Sequence, residues 1–393
     1  MPHAPPSVKG PPLMTTTLEH PPAERQLPAR VATGVLDIDA NGKGHLRSPD
    51  LLPSPTDLQV PPPLIRRYGL RKGDLVDGVR GTQRALTEVA RVNGRTPDEQ
   101  RGRRHFRDLT PLHPRERLRL EHPAAGLTGR VADLLAPVGK GQRGLVVAPP
   151  KTGKTVLLQQ IAAAVAGNHP EARLMVVLLD ERPEEVTDMR RCVRGEVYAS
   201  TFDKAPKQHI ALAELVIERA KRLVEAGEDV VILLDSLTRL CRAHNNAAAA
   251  GGRTLSGGVD ATALIGPKRF FGAARLAEEG GSLTILATAL VETGSRADDF
   301  YFEELKSTGN MELRLSRDLA SRRVFPAVDI NPSGTRREEL LLSPAELATV
   351  GGLRRALQSR DGQTTLETLL ERMRETPDNA TFLRRIQPTL PNG

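Results

Sequence analysis

A lysine and a threonine near the middle of the chain have the surroundings of a phosphate-binding site. The segment GLVVAPPKTGKT, residues 144–155, joins an apolar strand to a loop, and a run with helical periodicity follows at once. Backbone N–H groups of such a loop, together with the N-terminus of the helix, bind anionic phosphates. The Lys154 amine would reach the β- and γ-phosphates of a nucleotide, and the Thr155 hydroxyl would bind Mg²⁺. The motif is relaxed, because Ala148 stands in place of its first glycine.

Two apolar strands end in carboxylates that could complete this chemistry. Asp235 closes VVILLD, a position from which a carboxylate binds Mg²⁺ beside a phosphate loop, although it could instead cap the following helix. Glu181 follows LMVVLLD, where a carboxylate could orient and deprotonate the water that attacks the γ-phosphate. Asp180, Glu184 and Glu185 crowd the same turn. The residues alone therefore leave open which carboxylate is the base.

Near-continuous apolar runs predict the elements that position these groups. Because such strands are hydrophobic on both faces, they indicate a mainly parallel sheet covered by helices, which is an α/β fold. Ligands of such sheets bind at the carboxyl ends of the strands, where the two carboxylates lie. The predicted strands are residues 144–148, 174–180, 230–235, 282–290 and 311–315, and a crossover helix is predicted over 210–226.

Composition divides the chain into a tail, a small β domain, a linker and the α/β domain. Residues 1–30 are rich in proline and poor in large apolar side chains, which predicts disorder. Residues 31–105 contain short β-type runs separated by turn residues, which predict a small barrel. A charged linker with several prolines is expected over 106–126, and the α/β domain over 127–393. The β-type runs of the barrel are residues 34–38, 44–47, 58–60, 74–79 and 85–92.

The composition indicates an intracellular protein with a polyanionic partner. The net charge of +8 and the isoelectric point of about 9.8 favour binding to a polyanion. Two cysteines, Cys192 and Cys241, make no disulfide framework, which indicates a reducing compartment. No apolar run approaches the roughly 20 residues that span a bilayer, and the N-terminus lacks the regions of a signal peptide. We therefore expect a cytoplasmic protein that does not enter a membrane.

From Gly139 to Glu339 the chain resembles the family of the bacterial transcription termination factor Rho. The matching segments include VGKGQRGLVVAPPKTGKT, LLDERPEEVTDMRR, VILLDSLTRL, TLSGGVDATAL and RRVFPAVDINPSGTRREEL. The family has the same alanine in its phosphate loop. The resemblance implies a RecA-like P-loop ATPase domain preceded by an oligonucleotide-binding (OB-fold, cold-shock-like) barrel. It also implies a homohexameric RNA-dependent ATPase and helicase that uses Mg²⁺ with ATP, binds single-stranded RNA and acts with RNA polymerase in transcription termination.

The resemblance also assigns residues to ATP hydrolysis. Lys154 would contact phosphate, Glu181 would be the catalytic base, and Thr155 and Asp235 would bind Mg²⁺. Phe325 would stack near the adenine. The full set of nucleotide-binding residues that the resemblance implies is Gly139, Lys140, Gly141, Gln142, Arg143, Gly144, Lys151, Thr152, Gly153, Lys154, Thr155, Val156, Arg182 and Phe325.

Two arginines near the end of the matching region would serve a neighbouring subunit. The resemblance implies that Arg336 is an arginine finger that enters the next subunit's site, with Arg323 beside it. An arginine supplied in this way neutralises charge on the γ-phosphate and makes hydrolysis depend on assembly of the ring. Without the resemblance, an arginine in this charged loop would be interpreted as a solvated surface residue.

Two loops resemble those that face the central pore in this family. The first would be formed by Arg253, Thr254, Leu255, Ser256, Gly257 and Gly258. Its glycines would let the backbone approach a sugar-phosphate chain closely. The second carries Arg296 where the family usually has lysine, and arginine can still contact phosphate although the two are not equivalent. As a bare sequence, the Gly-Gly loop is only a flexible turn.

The barrel departs from the family pattern at the residues that stack on RNA bases. The usual Gly-Phe-Gly-Phe-Leu-Arg reads GKGHLR here, and further aromatics are expected near Gln59 and Gln83. Each stacked base contributes about 1–3 kcal/mol, so we expect a weakened site that relies on charge. The implied RNA-binding residues are Gly42, Lys43, Gly44, His45, Leu46, Arg47, Asp57, Leu58 and Gln59. The expected sources of charge are Arg66, Arg67, Arg71, Lys72, Arg101, Arg103 and Arg104, unless these form a solvated basic surface.

Three functional classes follow from these residues. The first is an ATP-driven hexamer that tracks along RNA and acts in transcription termination. The second is a divergent paralogous ring ATPase that regulates RNA or RNA polymerase without being a general terminator. The third is a non-motor regulator or a subunit of a rotary-type ATPase. Intact Lys154, Glu181, Asp235 and Arg336 argue against the third, whereas the lost aromatics keep the second open.

Overall fold

The computed structural model describes residues 31–81, 83–248, 254–358 and 362–390. The predicted N-terminal tail and Arg253 lie outside these residues. Two sheets dominate the structure, a small antiparallel one formed by residues 31–92 and a larger, mainly parallel one. None of the helices in these ranges is long and apolar enough to cross a membrane.

The first sheet is a curled, antiparallel half-barrel. Its strands are β1 (Val31–Ile38), β2 (Gly44–Arg47), β3 (Leu58–Val60), β4 (Leu75–Arg80) and β5 (Leu86–Val92), with helix α1 (Pro62–Tyr68) after β3. The strands follow the order β3-β2-β1-β4-β5, and a single bridge between Gln59 and Ala85 brings the two edges together. Alternate side chains such as Leu36, Leu46 and Val76 fill its interior. The expected OB-type barrel is confirmed, and its strands match the predicted runs to within a few residues.

The second sheet is mainly parallel and is covered by helices on both faces. Its principal strands follow the order β11-β10-β12-β16-β9-β17-β18, and only β18 in this series runs antiparallel to its neighbour. The strands are β9 (Arg143–Ala148), β10 (Arg173–Glu181), β11 (Glu196–Thr201), β12 (Asp229–Asp235), β16 (Ser282–Leu290), β17 (Met311–Leu315) and β18 (Val328–Thr335). The predicted α/β fold with a mainly parallel sheet is confirmed.

Successive residues of the central strands enter two different cores, which explains their continuous hydrophobicity. Val146 packs into the core on one face of the sheet and Val147 into the core on the other. Helices α2 (Gly126–Leu135), α3 (Lys154–Asn168), α4 (Pro183–Cys192), α9 (Arg317–Ser321), α10 (Pro344–Gln358), α11 (Gly362–Arg374) and α12 (Asn379–Ile386) lie toward the first core. Helices α5 (Pro206–Glu225), α6 (Leu237–Ala247), α7 (Ile265–Gly272) and α8 (Arg296–Lys306) cover the second. Each buried aliphatic side chain contributes about 1.5–3 kcal/mol, so the sheet is a rigid base for the loops at its edge.

The connector between the two sheets is packed against the ATPase-type domain. Phe106 is buried in its core, and β6 (Pro111–Leu112) pairs with β15 (Arg275–Ala277) at the side of the large sheet. A second short pair joins β7 (Arg117–Leu118) to β8 (Val138–Gly139). The remaining strands, β13 (Thr254–Leu255) and β14 (Val259–Asp260), form a small hairpin. The segment expected as a linker thus contributes strands and core, whereas the division of the chain into domains stays a prediction.

Candidate nucleotide and nucleic-acid sites

The loop between β9 and α3 has the geometry of a phosphate cradle. Lys151 and Gly153 have φ angles of 66° and 90°, which turn the backbone sharply ahead of the helix. The Thr152 hydroxyl donates a hydrogen bond of 2.8 Å to the Pro149 carbonyl and closes the loop. Helix α3 then begins at Lys154, and its first N–H groups have no partner within the helix. The loop can therefore donate several backbone hydrogen bonds to an anion.

The structure brings Lys154, Glu181 and Asp235 together. The Lys154 amine lies 2.5 Å from Asp235 Oδ1 and 3.2 Å from Glu181 Oε1. Asp235 and Glu181 are buried, with 1% and 5% of their surfaces exposed. The Thr288 hydroxyl donates a further hydrogen bond of 2.9 Å to Asp235. Burial lowers the pKa of Lys154, but the charges of Asp235 and Glu181 outweigh burial and raise it, so the amine stays protonated.

Parallel pairing explains why residues far apart in sequence meet here. Leu178 of β10 pairs with Asp235 of β12, and Leu290 of β16 pairs with Ala148 of β9. The strands therefore end side by side at the phosphate loop. Asp235 does not cap α6, because Ser236 fills that role by accepting a hydrogen bond from the Arg239 N–H. The alternative interpretation of Asp235 as a helix cap is therefore wrong.

Geometry distinguishes the crowded carboxylates at the end of β10. Asp180 has a φ angle of 58°, and the register of β10 shifts at this residue, so Glu181 turns inward. Asp180 is paired with Arg239 at 2.5 Å, and Glu184 is exposed. Glu185 Oε2 lies 3.4 Å from the Thr155 hydroxyl. Burial, and then the charge of Asp235, raise the pKa of Glu181, which leaves Glu181 as the buried carboxylate beside Lys154.

The oxygen donors at this edge suit Mg²⁺. The Thr155 hydroxyl and the Asp235 carboxylate are hard oxygen ligands, and magnesium uses few protein ligands together with phosphate oxygens and water. Within the described ranges, no group of three or more His, Cys, Asp or Glu side chains could hold a metal without a nucleotide. The donor set thus fits a metal that arrives with a phosphate chain.

An apolar pocket adjoins the phosphate loop. It has a volume of about 530 Å³, and its lining residues include Leu127, Lys151, Gly153, Val156, Gln160 and Phe325. Phe325 is 45% exposed, and its ring lies next to Gly153. Val156 is 56% exposed. Exposed apolar side chains beside a phosphate site could stack on a nucleobase, as predicted for Phe325.

Arg182 and Arg323 are exposed at the same end of the sheet. Arg182 directly follows Glu181 and precedes α4. Arg323 has a φ angle of 63° and stands two residues before Phe325. Both guanidinium groups are accessible from the solvent near the predicted site, which agrees with a role that needs a ligand or a second subunit.

Arg336 lies at the opposite end of the sheet from the phosphate loop. It directly follows β18, where Thr335 pairs with Met311, and Met311 pairs with Gly144 near the start of β9. The distance along β9 from Gly144 to Ala148 is about 13 Å at 3.3 Å per residue. Arg336 therefore cannot reach the phosphates bound by its own loop, and any nucleotide that it contacts belongs to another subunit. Arg323 lies at the loop end of the sheet, so the prediction that it stands beside Arg336 is wrong within one subunit.

The turn at residues 139–144 also lies at this far end. It precedes β9, whereas the phosphate loop follows β9. Lys140 is buried and paired with Glu116 at 2.5 Å and Asp229 at 2.8 Å. The Gln142 side chain donates a hydrogen bond of 2.7 Å to Asn310. The prediction that Gly139, Lys140, Gly141, Gln142, Arg143 and Gly144 line the nucleotide pocket is therefore wrong for the pocket of their own subunit.

The two predicted pore loops pack against each other. The first is a hairpin in which β13 and β14 flank Gly257 and Gly258, whose φ angles are 74° and 77°. A side chain at Gly257 would meet the Arg296 backbone at 2.9 Å, so only glycine allows this contact. Arg296 is exposed at the start of α8. One surface thus combines a close-approaching backbone with a free guanidinium group.

Helix α6 connects this hairpin to the buried carboxylates, a link that the sequence did not reveal. At one end of the helix, Arg239 pairs with the half-buried Asp180 at 2.5 Å and lies 3.3 Å from the buried Glu181. One turn later Arg242 pairs at 2.5 Å with Asp298 in the first turn of α8. Asn245 accepts a hydrogen bond of 2.7 Å from the Asp260 N–H of the hairpin. The spacing of three residues puts all three side chains along one helix, but their partners are too distant in sequence to be inferred.

On the barrel face that was predicted to bind RNA, intramolecular ion pairs neutralise much of the positive charge. Arg47 is paired with Asp57 at 2.5 Å and with Asp37 at 2.6 Å. The pKa of Asp37 is lowered, because its hydrogen bond from Arg47 and the charge of Lys72 outweigh its burial. Arg47 and Asp57 are therefore bound to each other, and the prediction that they contact RNA is not supported by this geometry.

The remaining predicted barrel residues divide into core and surface. Leu46 and Leu58 are buried, and Gly44 lies against the same core, so these three support the fold. Gly42 forms the β1–β2 turn with a φ angle of 76°. The other members are on the surface: Lys43 and Gln59 are exposed, and His45 is half-buried and pairs with Gln59 across β2 and β3. The surface members present no Phe, Tyr or Trp ring, and only the smaller imidazole of His45 could stack on a base.

Most of the basic cluster forms intramolecular ion pairs. Arg103 pairs with the fully buried Asp74 at 2.5 Å. Arg71 pairs with Glu225 of α5 at 3.1 Å. The others are Lys72, which pairs with Asp37 and Glu214, Arg104, which pairs with Glu279, and Arg101, which pairs with Asp98 on the surface. Only Arg66 and Arg67 are exposed without a described ion pair. The expectation that the whole cluster supplies charge to RNA is corrected accordingly.

Models of known protein families match the segments that form each of the two sheets. Residues 129–335 match the model of the ATP synthase alpha/beta family, nucleotide-binding domain, and residues 32–98 match that of the Rho termination factor, RNA-binding domain. The chain is 80% identical over 380 residues to the transcription termination factor Rho of Streptomyces coelicolor, covering 97% of this chain and 91% of that protein. It is 58% identical over 372 residues to the Rho of Streptosporangium roseum, covering 94% and 96%.

Solved structures of ATPases share the larger fold. A prototypical ATPase of a type III secretion system of pathogenic bacteria is 25% identical, with a TM-score of 0.53 over 58% of this chain and 66% of that one. The assembled ATPase EscN of enteropathogenic E. coli is 22% identical, with a TM-score of 0.54 over 63% and 59%, and shows the fold alone. The matching of both domains and the near full-length identity together show that this chain belongs to the Rho transcription termination factor family.

Proposed function

We propose that this chain is an RNA-dependent ATP hydrolase and translocase that acts in transcription termination as a homohexameric ring. The observation that supports the proposal is that helix α6 joins the two sites. Glu181 contacts both Lys154 and Arg239 of α6. Further along the same helix, Arg242 pairs with Asp298 of α8, and Asn245 bonds to the hairpin that contains Gly257. A site for ATP and a surface for a nucleic-acid chain are thereby coupled within one domain. The relatives are named transcription termination factors, which supports action with RNA polymerase in the cytoplasm.

In this proposal the phosphate loop and Lys154 hold the triphosphate. Because Lys154 lies between Glu181 and Asp235, an incoming γ-phosphate would compete for its amine. Glu181 would then be free to orient water and accept its proton. Thr155 and Asp235 would hold Mg²⁺, which neutralises charge on the phosphate oxygens. Phe325 and Val156 would contact the adenine, and Lys151, Thr152 and Gly153 would contribute loop N–H groups.

Arg336 would complete the site of the adjacent subunit. Its position at the far end of the sheet excludes its own phosphate loop, so it can serve only a neighbour. Arg182 and Arg323 are exposed at the loop end and would lie at the same boundary between subunits. ATP hydrolysis would therefore require the ring.

The pore hairpin and Arg296 would couple RNA to hydrolysis. RNA that pulls on residues 254–258 or on Arg296 would shift Asn245 and the Arg242–Asp298 pair, and α6 would pass the change to Arg239 and the carboxylates at the end of β10. The barrel would contribute weakly, because Arg47 and most of the basic cluster are engaged in ion pairs.

The test is ATP turnover with and without RNA homopolymers of each base. We expect stimulation by RNA that is lost in Arg296→Ala, with ATP binding unchanged. Arg384→Ala is the matched control, because Arg384 is exposed on α12 far from the hairpin. Stimulation that survives in Arg296→Ala, or no stimulation by any homopolymer, contradicts the proposal.

A further inference from the structure

A cavity of about 350 Å³ is bounded by helices α5, α6 and α7. Lys72, from the segment between α1 and β4, also lines it, and this lysine pairs at 3.1 Å with Asp37 of β1. The cavity therefore lies where the half-barrel meets the helices of the large sheet. Ligand sites occur preferentially where two structural units meet, and this volume is at the lower end of their usual range.

The walls of the cavity are mainly apolar. Helix α5 supplies one side, and α6 and α7 supply the other. The apolar lining residues are Ile210, Ala213, Ile217, Leu240 and Phe270. A ligand with an apolar body would exchange water for aliphatic and aromatic contacts here, which favours binding.

The charged side chains that line the cavity leave one cation without a partner. Lys72 lies 3.8 Å from Glu214, and Lys221 pairs with Glu218 at 2.6 Å. Arg269 of α7 is exposed, and among the described residues it has neither an ion pair nor a hydrogen bond. The lining thus carries one uncompensated positive charge, which suits an anionic ligand.

The imidazole of His244 is the second polar group without a partner. His244 is half-buried on α6, and within the part of the chain that the structure describes it makes no hydrogen bond. Its ring lies against Gly266 of α7, where a side-chain carbon would meet ring atoms at 2.2 Å. Burial lowers the pKa of His244, so near neutral pH the imidazole is uncharged and offers one N–H donor and one acceptor.

We propose that this cavity binds a small organic acid with an apolar body. The guanidinium fork of Arg269 matches a carboxylate, and the imidazole of His244 can donate a further hydrogen bond to it. The apolar walls would hold the rest of the molecule. The cavity lies on the second-core face of the sheet, whereas α3, which follows the phosphate loop, packs into the first core. Arg269, His244 and Gly266 have no role in the proposed function.

A ligand in this cavity would contact helix α6 from one side. Leu240 and His244 are four residues apart and share one stripe of the helix. Arg239, Arg242 and Asn245 occupy another stripe, which joins the hairpin to the carboxylates. A molecule that fills the space beside Leu240 and His244 would restrain α6 and so lower RNA-stimulated turnover. This consequence rests on the proposed function, whereas binding to the cavity does not.

The experiment measures binding of naphthoate to the full chain by fluorescence anisotropy. The chain contains no tryptophan, so naphthyl fluorescence is easily distinguished from that of the protein. Naphthalenemethanol is the uncharged comparison. The variants are Arg269→Gln, Arg269→Lys and Gly266→Ala, which would displace the imidazole. The matched control is Arg384→Gln, a change at an exposed arginine that does not line the cavity. Thermal unfolding verifies that each variant is folded.

We expect wild-type chain to bind naphthoate about tenfold more tightly than the alcohol, because charged hydrogen bonds are lost with the carboxylate. Arg269→Gln should weaken naphthoate binding about tenfold without changing that of the alcohol. Arg269→Lys keeps the charge but loses the fork and should fall between the two, and Gly266→Ala should also weaken naphthoate binding. No binding to the wild-type chain, equal affinity for acid and alcohol, or equal effects of Arg269→Gln and Arg384→Gln overturn the proposal.

ATP turnover with RNA tests the link to α6. Saturating naphthoate should lower stimulated turnover of the wild-type chain, with ATP binding unchanged, and the same concentration should act less on Arg269→Gln. Binding of naphthoate without this fall overturns the effect through α6. Absence of any stimulation by RNA contradicts the proposed function, while the binding measurements still decide whether the cavity takes an organic acid.

Discussion

The ATP site and the barrel contain the same local arrangement, one cation between two carboxylates, with different consequences. Lys154 lies between Glu181 and Asp235, and Arg47 lies between Asp37 and Asp57. The two cations are almost equally exposed, at 16% and 13% of their side chains. A loop of free N–H groups surrounds Lys154, so a phosphate chain can replace its partners.

No comparable anion cradle surrounds Arg47. Its neighbours on β2 and β3 are His45 and Gln59, which offer neither a strong positive field nor a Phe, Tyr or Trp ring. The comparison shows that a basic residue in a motif indicates binding only when its surroundings can hold the ligand after the internal pair opens. The phosphate-loop site around Lys154 meets this condition, because its loop N–H groups can hold a phosphate chain. The barrel face around Arg47 does not.

The largest expected effect on ATP turnover is that of changing Arg336, the arginine proposed to serve the neighbouring subunit. Arg336→Ala should lower turnover by about 10³–10⁵-fold, because an arginine finger stabilises charge in the transition state. When mixed into wild-type rings it should inhibit more than in proportion to its share, measured as ATP turnover against mixing ratio. Arg337→Ala, the exposed neighbour that pairs with Glu339, is the control. A strictly proportional decline would contradict the shared site.

Loss of Glu181, the buried carboxylate proposed as the base, should have the next largest effect on turnover. Glu181→Gln removes proton acceptance while preserving size, so turnover should fall by about 10²–10⁴-fold with ATP binding retained. Turnover and nucleotide binding are measured on the same sample. Glu184→Gln changes an exposed carboxylate in the same turn and should have little effect. If Glu184→Gln is the inactive variant instead, the assignment of the base is wrong.

The barrel's basic residues should affect stability more than RNA binding. Arg103→Ala leaves Asp74 buried without its charged partner and should lower the free energy of unfolding by about 3 kcal/mol. Arg101→Ala, which removes an exposed pair, should change it by less than about 1 kcal/mol. Urea unfolding measures both. Equal stabilities, with a loss of RNA affinity in Arg103→Ala, would show that Arg103 is available to RNA.

Local patterns in the sequence identified residues that the fold brings together at the phosphate loop. The central strands were recognisable because burial on both faces makes them continuously apolar, and Glu181 and Asp235 were recognisable because they end such strands. The turn at 139–144 was placed wrongly because the resemblance gives residue types without saying which end of a strand they occupy. The turn comes before β9 and the phosphate loop follows β9, so the order along the chain shows that the two lie at opposite ends of this strand.

Long-range ion pairs could not be predicted from the sequence. Arg71 pairs with Glu225, and Arg242 pairs with Asp298, across separations that only the folded chain closes. A basic run has the same appearance whether it binds RNA or holds two domains together. The same limitation explains why the connection through helix α6 was not predicted.

The most direct test of this account is RNA affinity across a salt series, for the wild-type chain and for Lys43→Phe/His45→Phe. With few free charges and no stacking platform on the barrel, wild-type binding should be weak, steeply dependent on salt and indifferent to base. The double variant should bind more tightly, by about 1–3 kcal/mol for each restored stacking ring, and should prefer pyrimidines, because base preferences in such sites follow stacking strength. Lys204→Phe, a change at an exposed lysine outside the barrel, controls for added hydrophobicity. Tight, salt-insensitive and pyrimidine-selective binding by the wild-type chain would contradict the claim that an intact motor here carries a weakened RNA-loading site.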